Sequence, residues 1–287
     1  MSPGGQREKR SAALTSLAAA VALTALKMIV GVLTGSLGIL AEAAHSGLDL
    51  VAALMTFFAV RFSGRPPDRT HLYGHGKIEN LSALAETLLL LATCAWIARQ
   101  AVLRLAGHRA ELEVTFWSFA VMLVSIAVDA SRARVLSRAA RKYNSQALEA
   151  DALHFQTDIW SSAVVVAGLI SVKLGLRSAD ALAALGVCGV VVWVSARLGH
   201  RTIDALLDSA PAGMEQRIAS IVEGVPGVQN CHAIRIRSSG PVLFVDLHVL
   251  VDGQQTLAQA HALTEAIECA IHNVAPAADV TVHPEPA

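Results

Sequence analysis

Two copies of one pair of metal-binding side chains stand out in the amino-acid sequence. His45 and Asp49 are four residues apart, and His154 and Asp158 repeat the spacing later in the chain. Residues four apart lie on one face of a helix, about one turn from each other. Two helices that each present one imidazole and one carboxylate would supply four ligands, the number that a tetrahedral Zn²⁺ takes. Any one of these residues alone would be read as a polar contact between packed helices.

The composition is that of a membrane protein. Of the 287 residues, 54% are hydrophobic and 16% are charged, which is too apolar for an ordinary soluble domain. The formal net charge is zero, so nothing indicates binding to nucleic acid. The four cysteines form no CxxC pair, which argues against a thiolate zinc site or a disulfide framework. Ionisable residues inside membrane spans mark ion or proton paths by default, and this favours metal ligation by the two pairs.

Six apolar runs meet or approach the length of about twenty residues that a helix needs to cross the hydrocarbon of a membrane. They cover residues 11–34, 37–61, 81–104, 114–137, 148–173 and 179–200. The first run follows a basic N-terminus, as in a signal peptide, but comparable runs follow it, so we interpret it as a membrane helix. Lys and Arg concentrate before the first run and after the second, fourth and sixth. Since positive residues favour the cytoplasmic side, both termini are predicted to be cytoplasmic.

A few other charged residues fall inside these runs, and each has an ordinary explanation. Lys27 lies in the middle of a span, where it could extend its amine to the interface or neutralise a carboxylate such as Glu42. Glu86 lies about one turn into its span, close to the expected interface, and Asp129 lies inside the fourth run. We assign none of them to metal.

From Asp208 onward the pattern changes to that of a small soluble domain. Apolar spacing predicts helices over 214–222 and 256–273, and alternation predicts strands over 232–237, 242–251 and 279–283. In the first strand, His232, Ile234 and Ile236 are expected on one side. The order α-β-β-α-β fits a ferredoxin-like α+β layer with two helices on one face of a three-stranded sheet. The predicted domains are an all-α six-helix transmembrane domain, residues 1–207, and a cytoplasmic α+β domain, residues 208–287.

With both pairs, six spans and this tail, the sequence resembles the cation diffusion facilitator family. The similarity covers residues 11–285, and its most specific motifs are Gly35–Asp49 and Tyr73–Glu79. Members are homodimers that exchange cytoplasmic Zn²⁺ or a related divalent cation for protons. The resemblance therefore implies proton-coupled zinc efflux by alternating access. Its transport site would consist of His45, Asp49, His154 and Asp158. A histidine at the first of these positions favours zinc over cadmium.

The resemblance also implies metal sites outside the spans. A loop site after the second span would use Asp68, His71 and His75. Family members bind a pair of zinc ions between their cytoplasmic domains, and the matching residues here are His232, His248, His261, His283 and Glu285. Lys77 and Asp208 resemble a charged pair that locks two protomers together near the membrane surface. Zinc would then be both cargo and a structural or regulatory ligand, with protons as the counter-ion.

Other functions compete with this interpretation. Fe²⁺ is the second choice of cargo, followed by other divalent cations, because affinity order alone does not set selectivity. An intramembrane metallohydrolase usually needs an open metal position and a general base, as in HExxH, and the sequence has no HExxH. A membrane metal sensor would use the cytoplasmic histidines but leave the intramembrane pairs unexplained. We expect a transporter rather than an enzyme, in the plasma membrane of a bacterium.

Overall fold

A computed structural model describes residues 3–34, 37–106, 116–173, 179–240 and 242–287. In these parts of the chain, six long helices precede two shorter helices and three strands. The chain divides into two compact units. One contains the helices up to residue 202, and the other contains the loop 65–77 together with residues 203–287. The motif residues Gly35 and Ser36 lie outside the described residues.

The long helices correspond one by one to the predicted runs. They are α1 (Pro3–Thr34), α2 (Leu37–Ser63), α3 (Lys77–Leu105), α4 (Phe116–Tyr143), α5 (Gln146–Lys173) and α6 (Ala179–Leu206). At about 1.5 Å per residue, each is long enough to cross a hydrocarbon layer of about 30 Å. By length and composition alone, three segments qualify as spans among the described residues: Gly4–Leu33, Ala43–Ser63 and Lys77–Leu103. Several helices continue past their apolar runs, since backbone hydrogen bonding does not stop where the hydrocarbon ends.

Helices α1, α2, α4 and α5 share one apolar core. Its buried side chains alternate alanine with larger residues and include Ala12, Val60, Leu136, Leu148 and Phe155. Small side chains let helix backbones approach closely, which favours association inside a membrane. This core brings α2 and α5, the two helices that carry the paired ligands, into the same bundle.

A buried carboxylate joins several helices near one end of this unit. Glu79, in the first turn of α3, accepts hydrogen bonds from Lys9 of α1 and from Ser145, which precedes α5. The Ser63 hydroxyl at the end of α2 donates to the same carboxylate at 2.7 Å. Lys9 and Glu79 are both fully buried. Because an unpaired buried charge is costly, this contact holds the ends of the helices together.

The second unit confirms the predicted α-β-β-α-β order. Its elements are α7 (Met214–Glu223), β1 (Asn230–Ser239), β2 (Val242–Val251), α8 (Leu257–Val274) and β3 (Ala278–Pro286). The strand order is β1-β2-β3, with β1 antiparallel and β3 parallel to β2. Side chains from α7 and α8, including Ile218 and Ile267, share a core with Val245 and Leu247 of β2. The opposite face of the sheet carries mainly polar residues, such as Asp246 and His248, together with Phe244 and Leu250.

Strand β1 departs from the simple alternation that its sequence predicts. Its pairing with β2 shifts register between His232 and Arg235, and Ala233 has a φ of 52°. Ile234 and Ile236 pack on the apolar core, whereas His232 is exposed and pairs with His248. The expectation that His232 shares a side with the two isoleucines is therefore wrong. An irregularity of this kind reverses the face on which later side chains lie.

Candidate metal centre

The four paired side chains of α2 and α5 come together. His154 Nε2 lies 3.0 Å from Asp49 Oδ1 and 3.7 Å from an oxygen of Asp158. His45 Nε2 lies 3.9 Å from the other Asp158 oxygen. One ligand atom each from His45, Asp49 and Asp158 lies within 4.8 Å of the others. The i, i+4 spacing puts each pair on one helix face, and packing of α2 on α5 brings the faces together.

The donor set and its burial both suit a divalent cation. Asp49 and His154 are buried, and Asp158 Oδ2 is a buried atom with no hydrogen-bond partner among the described residues. A buried carboxylate oxygen without a partner is costly, and a bound cation would satisfy it. Two imidazole nitrogens with two carboxylates match the ligand types and number of a tetrahedral zinc site.

A buried ionic network lies beside this site and joins α1, α4 and α5. Arg132 of α4 stacks over the ring of Phe155 at 3.5 Å and donates to Ser16 of α1 at 3.2 Å. Ser16 in turn donates to Asp151 of α5 at 3.3 Å. In the sequence, Arg132 counts only among the positive residues that indicate topology, and Asp151 has no predicted role. Asp151 precedes His154 by three residues, so helical periodicity could have flagged it.

Three other charged residues of the spans form hydrogen bonds or ion pairs within the protein. Glu86 is buried inside the helical unit, and it accepts hydrogen bonds from Thr56 and from Ser82. Lys27 is also buried, and its amine donates to Ser46 at 2.8 Å. Asp129 pairs with Arg132 at 3.3 Å. The side chain of Glu42 lies outside the described residues.

The loop after α2 gathers its three predicted ligands. His71 Nδ1 lies 3.1 Å and His75 Nε2 lies 3.3 Å from the carboxylate of Asp68. Backbone N–H groups of His71 and Thr70 donate to Asp68 and hold the pKa of its carboxyl well below the usual value. His75 Nδ1 is buried without a hydrogen bond among the described residues. An ionised carboxylate beside two imidazoles suits a divalent metal.

The same loop is fixed against the β1–β2 hairpin. Tyr73 stacks with the Arg237 guanidinium at 3.7 Å and meets Phe244 edge-on at 5.2 Å. Gly76 lies so close to Ser239 that an added Cβ would come within 2.3 Å of its carbonyl oxygen. Only glycine fits this approach, so the loop ligands are positioned by the cytoplasmic sheet.

The predicted charged pair forms within one chain. Lys77 Nζ lies 2.8 Å from Asp208 Oδ1, and it also donates to the Leu206 carbonyl at 3.2 Å. Both side chains are partly exposed, at 36% and 45%. The pair therefore closes the loop onto the segment after α6, and its action between protomers stays a prediction.

Three histidines form a row across the sheet. His232 is the register partner of His248, and His248 is the register partner of His283. Glu285, two residues after His283, lies 2.9 Å from His248 Nδ1 and 3.3 Å from His232 Nε2. The hydrogen bond with His248 lowers the pKa of Glu285. The His248 and His283 rings are 4.8 Å apart, so the row could hold a metal with Glu285.

His261 does not join this row. It lies on α8 with its side chain 71% exposed, and its nearest partner is Glu265 at 3.6 Å on the same helix. Within one chain it is therefore separate from the other cytoplasmic ligands. Its assignment to a metal site stays a prediction.

A helical unit with a buried His–carboxylate site, joined to an α+β domain with a second site, defines a metal-handling membrane protein. Residues 13–207 match the cation efflux transmembrane domain, and residues 210–287 match the cation efflux protein cytoplasmic domain. The cation-efflux pump FieF of Yersinia enterocolitica is 33% identical over 100% of this chain and 95% of that protein. FieF of Serratia proteamaculans has the same identity and coverage.

Two solved structures also resemble part of the chain. A variant of the MamM CTD is 32% identical, covers 25% of this chain and 91% of its own, and has a TM-score of 0.24. A nickel form of another variant is 27% identical, covers 27% and 99%, and has a TM-score of 0.26. At these TM-scores the structural likeness supports no conclusion by itself.

The chain belongs to the cation efflux family, also called the cation diffusion facilitators. It is a multi-pass membrane transporter of divalent metal cations and not an enzyme, and its C-terminal domain is cytoplasmic. The predicted fold class, a six-helix transmembrane domain followed by an α+β cytoplasmic domain, is confirmed.

Proposed function

We propose that this transporter exports Zn²⁺ from the cytoplasm in exchange for protons through His45, Asp49, His154 and Asp158. The observation that carries the proposal is that ligand atoms of His45, Asp49 and Asp158 lie within 4.8 Å of one another, while His154 Nε2 lies 3.0 Å from Asp49. Their ligand types favour zinc, and Fe²⁺ is the alternative cargo.

Competition between metal and protons follows from the contacts of the site. Because His154 Nε2 and Asp49 Oδ1 are 3.0 Å apart, a proton must lie between them when no metal is bound. Zinc needs the imidazole lone pair, so binding releases this proton. Two carboxylates also neutralise the charge of the dication, which lowers the cost of holding it in a low-dielectric interior. Exposure of the site to each side of the membrane in turn would then couple the two fluxes.

The remaining parts of the proposal concern the cytoplasmic sites and the assembly. We place the domain boundary between residues 207 and 208 and expect a homodimer in a bacterial plasma membrane. The row of His232, His248 and His283 with Glu285 supports a resident zinc ion, because their ligand atoms converge at an accessible surface. Such an ion would neutralise Glu285 and fix the orientation of the imidazoles. Transport would then be faster when the cytoplasmic domain has bound metal.

Zinc flux into proteoliposomes with an imposed pH gradient tests the transport site. Asp49→Asn keeps the shape of the side chain and removes its charge, so we expect zinc flux and the matching proton flux to fall to background. The control, Asp279→Asn, removes an exposed carboxylate of β3 and should transport like the wild type. Retained flux in Asp49→Asn would reject the site, and faster Fe²⁺ than Zn²⁺ transport would reject the preferred cargo.

A further inference from the structure

A groove runs between α4 and α5 on the surface of the helical unit, and none of its lining residues is a proposed metal ligand. Its volume is about 420 Å³. Its lining residues are Ala130, Ala133, Arg134, Ser137, Arg138, Arg141, Gln156 and Ile159. Gln156 donates to Ser137 at 3.2 Å and joins the two helices at the groove.

Three arginines dominate one end of the groove. Arg134, Arg138 and Arg141 follow each other at i, i+4 and i+7, so they share one face of α4. All three are exposed, and none forms an ion pair with a described carboxylate. Nearby basic residues differ, since Lys142 pairs with Glu8 and Arg201 pairs with Glu149. None of the described residues lining the groove is acidic, so its positive charge lacks a partner from the chain.

The other end of the groove is apolar. Arg141 lies two residues from the C-terminal end of α4, whereas Ala130 lies about 16 Å further along the helix axis. That helix end is cytoplasmic. Two membrane crossings, α5 and α6, lie between it and the cytoplasmic domain, so both are on the same side. The charged end therefore lies toward the headgroups of the inner leaflet, and Ala130 and Ile159 lie toward the acyl chains.

We propose that this groove binds an anionic phospholipid of the cytoplasmic leaflet. Its phosphate would lie among Arg134, Arg138 and Arg141, and one acyl chain would lie against Ala130 and Ile159. Arginine forms paired hydrogen bonds with phosphate oxygens, and basic pockets between membrane helices on this side bind anionic headgroups. The proposal does not depend on the cargo. Because α5 also carries His154 and Asp158, a lipid on its outer face would stabilise the helix pair.

Membrane orientation alone also favours arginine on the cytoplasmic side, but it does not require a groove or an apolar continuation. The two explanations predict different results for a matched pair of variants. The groove variant is Arg134→Gln, Arg138→Gln and Arg141→Gln. The control variant is Arg7→Gln, Arg10→Gln and Arg197→Gln, which removes the same charge from exposed cytoplasmic positions outside the groove.

The experiment measures thermal unfolding of the purified full-length protein in detergent as phosphatidylglycerol, phosphatidylcholine or inorganic phosphate is added. We expect phosphatidylglycerol to stabilise the wild type and control variant, with an apparent affinity at least about tenfold weaker in the groove variant. Phosphatidylcholine and inorganic phosphate should have little effect on any of them. Filling the apolar end by Ala130→Trp should also weaken the response to phosphatidylglycerol.

Three results would overturn the proposal. Equal responses of the groove and control variants would show that only total charge matters. Equal stabilisation by inorganic phosphate and phosphatidylglycerol would identify an anion site rather than a lipid site. An unchanged response of Ala130→Trp would remove the acyl chain from the groove. If the triple variant does not fold, Arg138→Gln alone, with Arg10→Gln as its control, gives the same comparison with a smaller difference.

Discussion

The membrane site and the cytoplasmic row use the same chemistry in opposite surroundings. Both combine imidazoles with carboxylates, but the side chains of His154 and Asp49 are 9% and 12% exposed, whereas His232 and His283 are 43% and 62% exposed. A buried carboxylate needs a cation or a proton at all times, because leaving its charge uncompensated is costly. A solvated carboxylate has no such requirement. We therefore expect obligatory exchange of metal for protons at the buried site and reversible metal binding at the exposed one.

The largest expected effect separates these two roles by removing one imidazole from the membrane site and two from the cytoplasmic row. His154→Ala should reduce zinc flux to background, because it removes a ligand and the proton partner of Asp49. The double variant His232→Ala with His248→Ala should keep transporting but lose part of its dependence on zinc concentration. Flux in proteoliposomes at varied zinc concentration measures both.

Two outcomes would break the comparison. If the cytoplasmic double variant also loses all transport, the row is part of the transport path rather than a sensor. If its zinc dependence is unchanged, the row has no regulatory role. Correct insertion of each variant is checked by comparing thermal unfolding in detergent with that of the wild type.

The next largest effect is expected at the loop site. Like the membrane site and the cytoplasmic row, it combines a carboxylate with histidines, but its geometry depends on how the loop backbone packs on the β1–β2 hairpin. Gly76→Ala would place a Cβ 2.3 Å from the Ser239 carbonyl oxygen, so the loop must move from the hairpin. Overpacking of this kind typically costs about 1–3 kcal/mol. We expect lower thermal stability and weaker binding of one metal ion per protomer, measured by calorimetry.

The matched control for this substitution is Gly186→Ala, because a Cβ at Gly186 in α6 meets nothing within 4 Å. It should be neutral or slightly stabilising, since alanine favours a helix more than glycine does. If both variants bind metal like the wild type, the packing of Gly76 on Ser239 does not position the loop ligands.

The sequence predicts those features of the fold and the sites that depend on residues close together along the chain. The His45–Asp49 and His154–Asp158 pairs are local in each helix, so spacing alone revealed them. The row of His232, His248 and His283 depends on strand register, and the irregularity at Ala233 reverses the expected face. The ionic network around Arg132 joins three helices. Periodicity places Asp151 on the same helix face as His154, but no short-range pattern encodes the contacts with α1 and α4.

A smaller effect is expected in the pH dependence of zinc binding at the loop site. Hydrogen bonds from the His71 and Thr70 backbone lower the pKa of Asp68 in the folded protein. These bonds therefore stabilise the loop fully at any pH above the pKa of Asp68 in the unfolded chain. The stabilisation is lost as the pH falls through the lower pKa of the folded state. Between pH 7 and 5 the carboxylate of Asp68 therefore stays ionised, and it takes up no proton in competition with the metal. We expect zinc binding at this site to release at most about two protons, measured by calorimetry in buffers of different ionisation enthalpy.

Asp68→Asn separates the carboxylate from the histidines in this test. It should weaken zinc binding without changing how steeply affinity falls between pH 7 and 5, because Asp68 takes up no proton in this range. A shallower pH dependence in the variant would show that Asp68 itself takes up a proton in this range, against the hydrogen-bonding argument.

The smallest effect is expected at the Lys77–Asp208 pair, where exposure limits the electrostatic gain. Exposed ion pairs typically contribute about 0.2–1 kcal/mol, so Lys77→Met and Asp208→Asn should each shift the unfolding free energy by no more than about that amount. The double variant should lose little more than either single variant, because both remove the same contact. A small effect on unfolding with an intact dimer, measured by light scattering, fits a pair that closes within one chain, as the 2.8 Å contact does. If either substitution dissociates the dimer, the pair acts between protomers, and the exposed cytoplasmic surface contributes more to assembly than its solvated charges suggest.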